Sequence, residues 1–203
     1  MNRPAQWSRH GLLLALVLSL AGCLSSTQTA TLYSLQSINQ PPIVAEDQRV
    51  KEIILVLPVQ VAPHLQGRSL LYQQRDGEAR AAASHLWSAS LDKQLAVHLT
   101  SQLQQLLATA NVSLFPGPRY AQPAYQVEVE VGEFSGDGKE FQTRATYTIS
   151  DRRKQTICLR KIYQQKSSID TPEYTGYVHA ASRALADLSR EIAQSLVELH
   201  TAL

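Results

Sequence analysis

Tyr125-Gln126-Val127-Glu128-Val129-Glu130-Val131 decides the fold, because apolar and polar side chains alternate along it without a break. Successive side chains of a strand point to opposite faces. The pattern therefore predicts a strand that buries Tyr125, Val127, Val129 and Val131 and leaves Gln126, Glu128 and Glu130 in water. Downstream, Gly136-Asp137-Gly138-Lys139 reads as a turn into a second alternation, Phe141, Thr143, Ala145, Tyr147 and Ile149. Asp151-Arg152-Arg153-Lys154 turns the chain again, into a strand around Ile157 to Tyr163. Three strands in hairpin succession make an antiparallel meander with one apolar face.

That face needs a cover, and two segments offer one. Leu91, Leu95, Leu99, Leu103, Leu106 and Ala110 recur every three or four residues, with Lys93, Gln94, Gln102 and Gln105 between them. This is the period of an amphipathic helix, with Ser88 or Ser90 as cap, Asp92 near its positive end and Asn111 as the stop. Near the C-terminus, Thr171-Pro172 reads as a cap and first-turn pair. Val178, Ala181, Leu185, Leu188, Ile192, Leu196, Leu199 and Leu203 form a second stripe behind it. The fold class is α+β: a mainly antiparallel sheet with two long amphipathic helices packed on one face.

Upstream of the first helix the signals are shorter. Ile53 to Leu57 is continuously apolar and suits a strand covered on both faces. Pro58 and Pro63 confine the next stretch of chain to an edge or irregular segment. Ser69 to Gln73 reads as a strand ended by Asp76-Gly77, and Val112 to Phe115 as another ended by Pro116-Gly117-Pro118. Pro41-Pro42 mark a loop, and Leu32-Tyr33-Ser34-Leu35 opens the domain.

The N-terminus is not part of that domain. Arg3 and Arg9 precede Gly11 to Leu20, an apolar run of ten residues. A membrane-spanning helix needs about 20, so the run fits the core of a cleavable signal peptide. It ends in Leu20-Ala21-Gly22-Cys23. Small residues at Ala21 and Gly22 admit a peptidase, and a cysteine directly after them resembles the lipobox of bacterial lipoproteins. That resemblance implies diacylglycerol on the Cys23 sulfur, cleavage before Cys23 and acylation of the new amine by a palmitate-type chain. One acyl chain binds a membrane reversibly, whereas two or more hold stably, so three make a fixed anchor. Leu24 stands where an Asp signals inner-membrane retention in enteric-type bacteria, which favours the outer membrane, facing the periplasm. The organisation is therefore residues 1–22 signal peptide, 23–31 lipidated flexible tether and 32–203 a single α+β periplasmic domain.

Removing residues 1–22 removes two of the 19 basic residues and none of the 17 acidic ones, so the mature chain has a formal charge of zero. No basic field remains to attract nucleic acid. Cys158 is the one other cysteine and, with Cys23 acylated, has no partner for an internal disulfide. It reads as a small buried hydrophobe on its strand.

No catalytic constellation is present, and no cofactor is implied beyond the covalent lipid. Gly136 to Lys139 lacks the earlier glycine of a phosphate loop and has Glu140 where Ser or Thr belongs, so it reads as a hairpin turn. Of the six histidines His10 leaves with the signal peptide, His64 and His85 read as loop residues, and His98, His179 and His200 as helical. None shows metal-ligand spacing. Ser84-His85 are neighbours in sequence, which does not aim a base at a nucleophile. Trp87 reads as a packing anchor under the first helix rather than a ligand platform.

Two blocks carry a family resemblance. Leu70-Leu71-Tyr72-Gln73-Gln74-Arg75-Asp76-Gly77 is one and Ser84-His85-Leu86-Trp87-Ser88-Ala89-Ser90-Leu91-Asp92-Lys93-Gln94-Leu95 the other. Tyr33-Ser34-Leu35, Pro58-Val59, Val127-Glu128-Val129 and Phe134-Ser135-Gly136 flank them. Together they resemble the paraquat-inducible, PqiC-like lipoproteins and, more broadly, the auxiliary lipoproteins of ABC-type transport systems. The resemblance implies a docking subunit whose partners are a periplasmic MCE-domain protein and the inner-membrane components of a lipid transport system. The alternative reading is a periplasmic carrier that itself holds an apolar cargo in a pocket lined by Leu99, Leu103, Leu188 and Ile192. A tunnel of MCE domains is expected to be a ring, so its seat is expected to be a homo-oligomeric ring. Leu70, Leu71 and Tyr72 are the candidate interface, apolar residues of a short strand placed at a sheet edge. Either a neighbouring subunit or a helix of the same chain would cover them.

Overall fold

The computed structural model describes residues 29–45, 50–73, 78–118, 122–171 and 173–201. Nine strands form one sheet among them, and its axis is the strand read first. That strand is β7, Tyr125–Gly136, with Tyr125, Val127, Val129 and Val131 buried, as the alternation requires. Along one side it pairs antiparallel with β8 (Glu140–Asp151), which pairs antiparallel with β9 (Thr156–Ser168). The meander and both of its turns are present.

Three short strands share the other side of β7, all parallel to it. They are β2 (Ile54–Val56), β3 (Gln60–Val61) and β4 (Ser69–Gln73), the last joined at Tyr72↔Gly136. Beyond β2 lies β6 (Val112–Leu114), parallel to it. Beyond β4 lies β5 (Ala79–Trp87), antiparallel, and then β1 (Thr31–Tyr33), parallel to β5. The sheet is thus mixed, antiparallel where paired strands are consecutive and parallel where they are distant in the chain. Ile54, Leu55 and Val56 are all buried, as expected of a strand covered on both faces, and β6 and β7 flank its edges. A short 3-10 turn, Pro63–Leu65, follows β3.

Helix α1 spans Leu91–Leu106 and α2 spans Tyr174–Thr201. Their stripes meet the sheet and each other in one apolar cluster that holds Leu95, Leu99, Leu103, Leu106, Val178, Ala181, Leu185, Leu188, Ile192 and Leu196. Ser90 is the cap residue of α1, but its side chain makes no capping hydrogen bond. The helix stops before Asn111, where Ala108 takes a left-handed backbone (φ 47°). Asn111 instead reaches across to donate to the Lys51 carbonyl at 2.7 Å. Pro172 and Leu203 lie outside the described residues, as do Asp76 and Gly77.

After β1 the chain crosses both helices as a strap. The Leu35 N–H donates to Gln94 Oε1 of α1 (2.9 Å), and the Gln36 N–H to Ser182 Oγ of α2 (3.0 Å). Gln40 completes it, donating to the Ala186 carbonyl and accepting from Arg190. Residues 34–40 therefore fix the helix layer from outside and tie the start of the domain to its end.

Candidate functional site

Leu20, Ala21, Gly22, Cys23 and Leu24 lie outside the described residues. The nearest described element is β1, through which the chain enters the sheet. β1 is the outer strand of its flank, and Leu32 on it is 55% exposed. Side-chain alternation puts Tyr33 on the opposite face, toward α2.

Tyr33 begins a run of aromatic rings that leads from the surface into the core. Its hydroxyl and His85 Nδ1 are 2.9 Å apart, and the two rings stack with centroids 5.7 Å apart. His85 lies flat on Tyr174, centroids 3.5 Å apart and planes 10° from parallel. Tyr72 meets Tyr174 edge-on at 5.4 Å and Tyr177 at 5.1 Å. Tyr177 continues to Trp87 at 6.4 Å and Phe141 at 5.1 Å. The Tyr177 hydroxyl donates to the Leu71 carbonyl at 2.9 Å, which satisfies its polar end inside the core. Burial pushes the Tyr72 hydroxyl up to about 12, helped by neighbouring Tyr174 and Tyr33. Burial also raises Tyr177.

This arrangement corrects three expectations. β4 is not a sheet edge, because β5 flanks it on one side and β7 joins it on the other. Leu70 is 0% exposed, and Leu71 and Tyr72 are half-buried, with α2 of the same chain over Tyr72. His85 is on strand β5 rather than in a loop. Neither Gly nor Pro interrupts Ala79 to Trp87, but its small residues give too little apolar alternation to announce a strand. Cys158 is exposed rather than buried. The β8–β9 register jumps from Ile149↔Leu159 to Ser150↔Ile157, so Cys158 is the extra residue of a bulge and faces no partner in β8.

Elsewhere the positions singled out in the sequence take structural places. Asp137 Oδ1 accepts the N–H groups of Lys139 (2.8 Å) and Glu140 (2.7 Å), so those amides hold a hairpin turn rather than a phosphate. Gly138 supplies its left-handed residue (φ 89°). Trp87 is buried, with Tyr177 of α2 as its ring neighbour. Leu99, Leu103, Leu188 and Ile192 are each at most 2% exposed and belong to the packed core. Among the described residues no three His, Cys, Asp or Glu side chains are grouped to hold a metal, and no helix is long and apolar enough to cross a membrane.

The model of the ABC-type transport auxiliary lipoprotein component family matches residues 33–193. The chain belongs to that family. The match runs from the first ring of the aromatic series through most of α2, so it covers all of the sheet but the start of β1. Among solved structures this auxiliary lipoprotein is similar to a Xanthomonas campestris protein of the DUF330 family model: 13% identity, TM-score 0.71, 85% of this chain and 99% of that one. It is also similar to a protein described only as uncharacterized, at 21% identity and TM-score 0.69 over 83% of this chain and 99% of that one. Both likenesses concern the fold. A search of curated proteins finds no match.

Proposed function

We propose that this auxiliary lipoprotein is the docking subunit of an MCE-type intermembrane lipid transport system, anchored through lipidated Cys23 to the outer membrane and facing the periplasm. The family match over residues 33–193 carries the reading. Two structural features support it. The tether would join the domain at β1, where the aromatic series and the strap lock the entry point to both helices. The apolar layer between helices and sheet is filled by its own side chains, which favours a seat over a carrier of apolar cargo. Its partners are then an MCE-domain protein and the inner-membrane components of the same system, met by several copies of this chain.

Crosslinking in intact envelopes followed by pull-down tests the reading. An MCE-domain protein is expected in the adduct from wild type. It should be lost from Cys23→Ser, which stays uncleaved and carries no acyl chain. Recovery of no transport component from wild type would sink the docking role. In an enteric host Leu24→Asp should move the protein to the inner membrane; a wild type already found there would refute the outer-membrane placement.

A further inference from the structure

β9 ends the sheet on the side away from β1. Its 13 residues pair with β8 along one edge, and no described strand pairs with the other. One face of β9 is committed to α2: Lys161 pairs with Glu191, and Gln165 donates to Asp187 at 2.8 Å. The opposite face and the free edge remain. Ile157 and Ile162 are 65% and 70% exposed, the largest values among the exposed large hydrophobics of the described chain. From Arg152 to Ser168 the sequence holds Arg152, Arg153, Lys154, Arg160, Lys161 and Lys166 and no acidic residue. Lys154, Arg160 and Lys161 lean on Asp151, Glu130 and Glu191, Arg153 adds its charge near Asp151 and Arg152 donates to Gln126 Oε1 at 3.1 Å, whereas Lys166 makes no ion pair among the described residues.

An unpaired row of backbone N–H and C=O groups is a template for one more strand. Short strands, proline and covering loops protect many such edges, but β9 is long and free of proline, and its guards are the bulge at Cys158 and its own cations. Charge decides what fits. A second β9 would bring the same cations against these, and like charges directly opposite in a ladder repel. An extended segment with carboxylates at alternate positions meets them favourably, and apolar residues between can rest on Ile157 and Ile162.

We infer that the open edge of β9 is the surface on which this lipoprotein receives its partner, through an acidic extended segment added to the sheet as a tenth strand. The inference rests on the docking reading and names the chemistry of the partner. It also gives the domain two working ends, with β1 toward the lipid anchor and β9 at the opposite border of the sheet.

The test uses the protein purified from envelopes in detergent and a blocked nine-residue peptide alternating glutamate with valine, beside its lysine counterpart. Amide hydrogen exchange is read over residues 156–168. The glutamate peptide is expected to slow alternate β9 amides, and the lysine peptide to leave them unchanged. Arg160→Glu with Lys166→Glu, both within the span of a nine-residue strand on β9, should weaken the glutamate peptide about tenfold, the combined size of a few opposite-charge cross-strand pairs. The variant's unfolding midpoint should fall only slightly, since both sites are exposed and the Arg160–Glu130 pair lies at the surface. No slowing by the glutamate peptide, or equal slowing by both, overturns the inference. So does protection that grows with protein concentration alone, which would mean a second copy, or stronger protection by phosphatidylglycerol vesicles, which would mean a lipid surface. The docking reading fails separately: an MCE-domain adduct that survives the charge reversal leaves docking intact and removes only its assignment to β9.

Discussion

The two flanks of β7 are held by different forces. On the β8–β9 side, twelve- and thirteen-residue strands follow one another directly and share long antiparallel ladders, with turns tied by the carboxylates of Asp137 and Asp151. On the other side β2, β3 and β4 are two to five residues long, run parallel to β7 and lie well before it in the chain. Few backbone hydrogen bonds can hold them, and side chains take over. The rings of Tyr72, Trp87, Phe141, Tyr174 and Tyr177 join β4, β5, β8 and α2 across more than 100 residues of sequence. The meander can thus leave its outer strand open, whereas the aromatic flank has little surface to spare.

This contrast predicts unequal responses to substitution. Tyr177→Ala removes a fully buried ring that touches three other aromatics and loses its hydrogen bond to the Leu71 carbonyl. Loss of a large buried ring costs about 3–5 kcal/mol, a large share of a domain's stability. Ile162→Ser on the open face of β9 should change stability by no more than about 0.5 kcal/mol. Urea unfolding of both variants measures the difference. Comparable costs at the two positions would break the contrast between the flanks.

The same contrast explains what could be read from the sequence. Val127, Val129 and Val131, the two Asp-bearing turns and the helical stripes are local signals, because each element meets its neighbour within a few residues. The aromatic flank has no such signature. Ala79 to Trp87 became a strand only through β4 and β1, and His85 found its place through Tyr174, 89 positions later in the sequence. The apolar character of Leu70, Leu71 and Tyr72 was legible, but whether a neighbour or its own helix covered them depended on where Tyr177 would fall. Cys158 was misread because a bulge breaks the alternation by which buried positions are counted. The open edge of β9 left its trace in composition, as the run from Arg152 to Ser168 without an acid.

Alkaline titration should next probe the aromatic flank through Tyr72→Phe set against wild type, since burial raises Tyr147 and Tyr163 of the meander as well. The Tyr72 hydroxyl is raised from 10.0 to about 12, by burial first and then by neighbouring Tyr174 and Tyr33. A raised value means that the folded state resists losing the proton. The contribution of Tyr72 is therefore intact below pH 10 and is lost between there and pH 12, where the unfolded chain ionises first. Unfolding midpoints should fall over that window, and Tyr72→Phe should shallow the fall. An equal slope in wild type and variant would remove Tyr72 from the account.

Acid should act on the other flank, and more gently. Asp151 Oδ1 accepts the N–H groups of Lys154 at 2.9 Å and Arg153 at 2.8 Å, closing the β8–β9 turn. The Lys154 N–H is the main reason its carboxyl sits below the ordinary 3.8, with the Arg153 N–H and both cations assisting against partial desolvation. Here the folded state holds the proton more weakly than the unfolded one. The contribution is complete above 3.8 and is lost as pH falls through the lower folded value. Asp151→Asn retains a side-chain oxygen for the two amides but has no proton to gain. It should begin slightly less stable at neutral pH, since a charged acceptor holds N–H groups more strongly. It should then lose less than wild type on acidification. Exchange at the Arg153 and Lys154 amides reads the turn directly: in wild type it should quicken relative to the Asn variant below 3.8, while the Tyr177 region stays protected. Simultaneous loosening of both regions would show that the ladders and the rings open as one unit, and the division between the flanks would then describe how the sheet is built without describing how it comes apart.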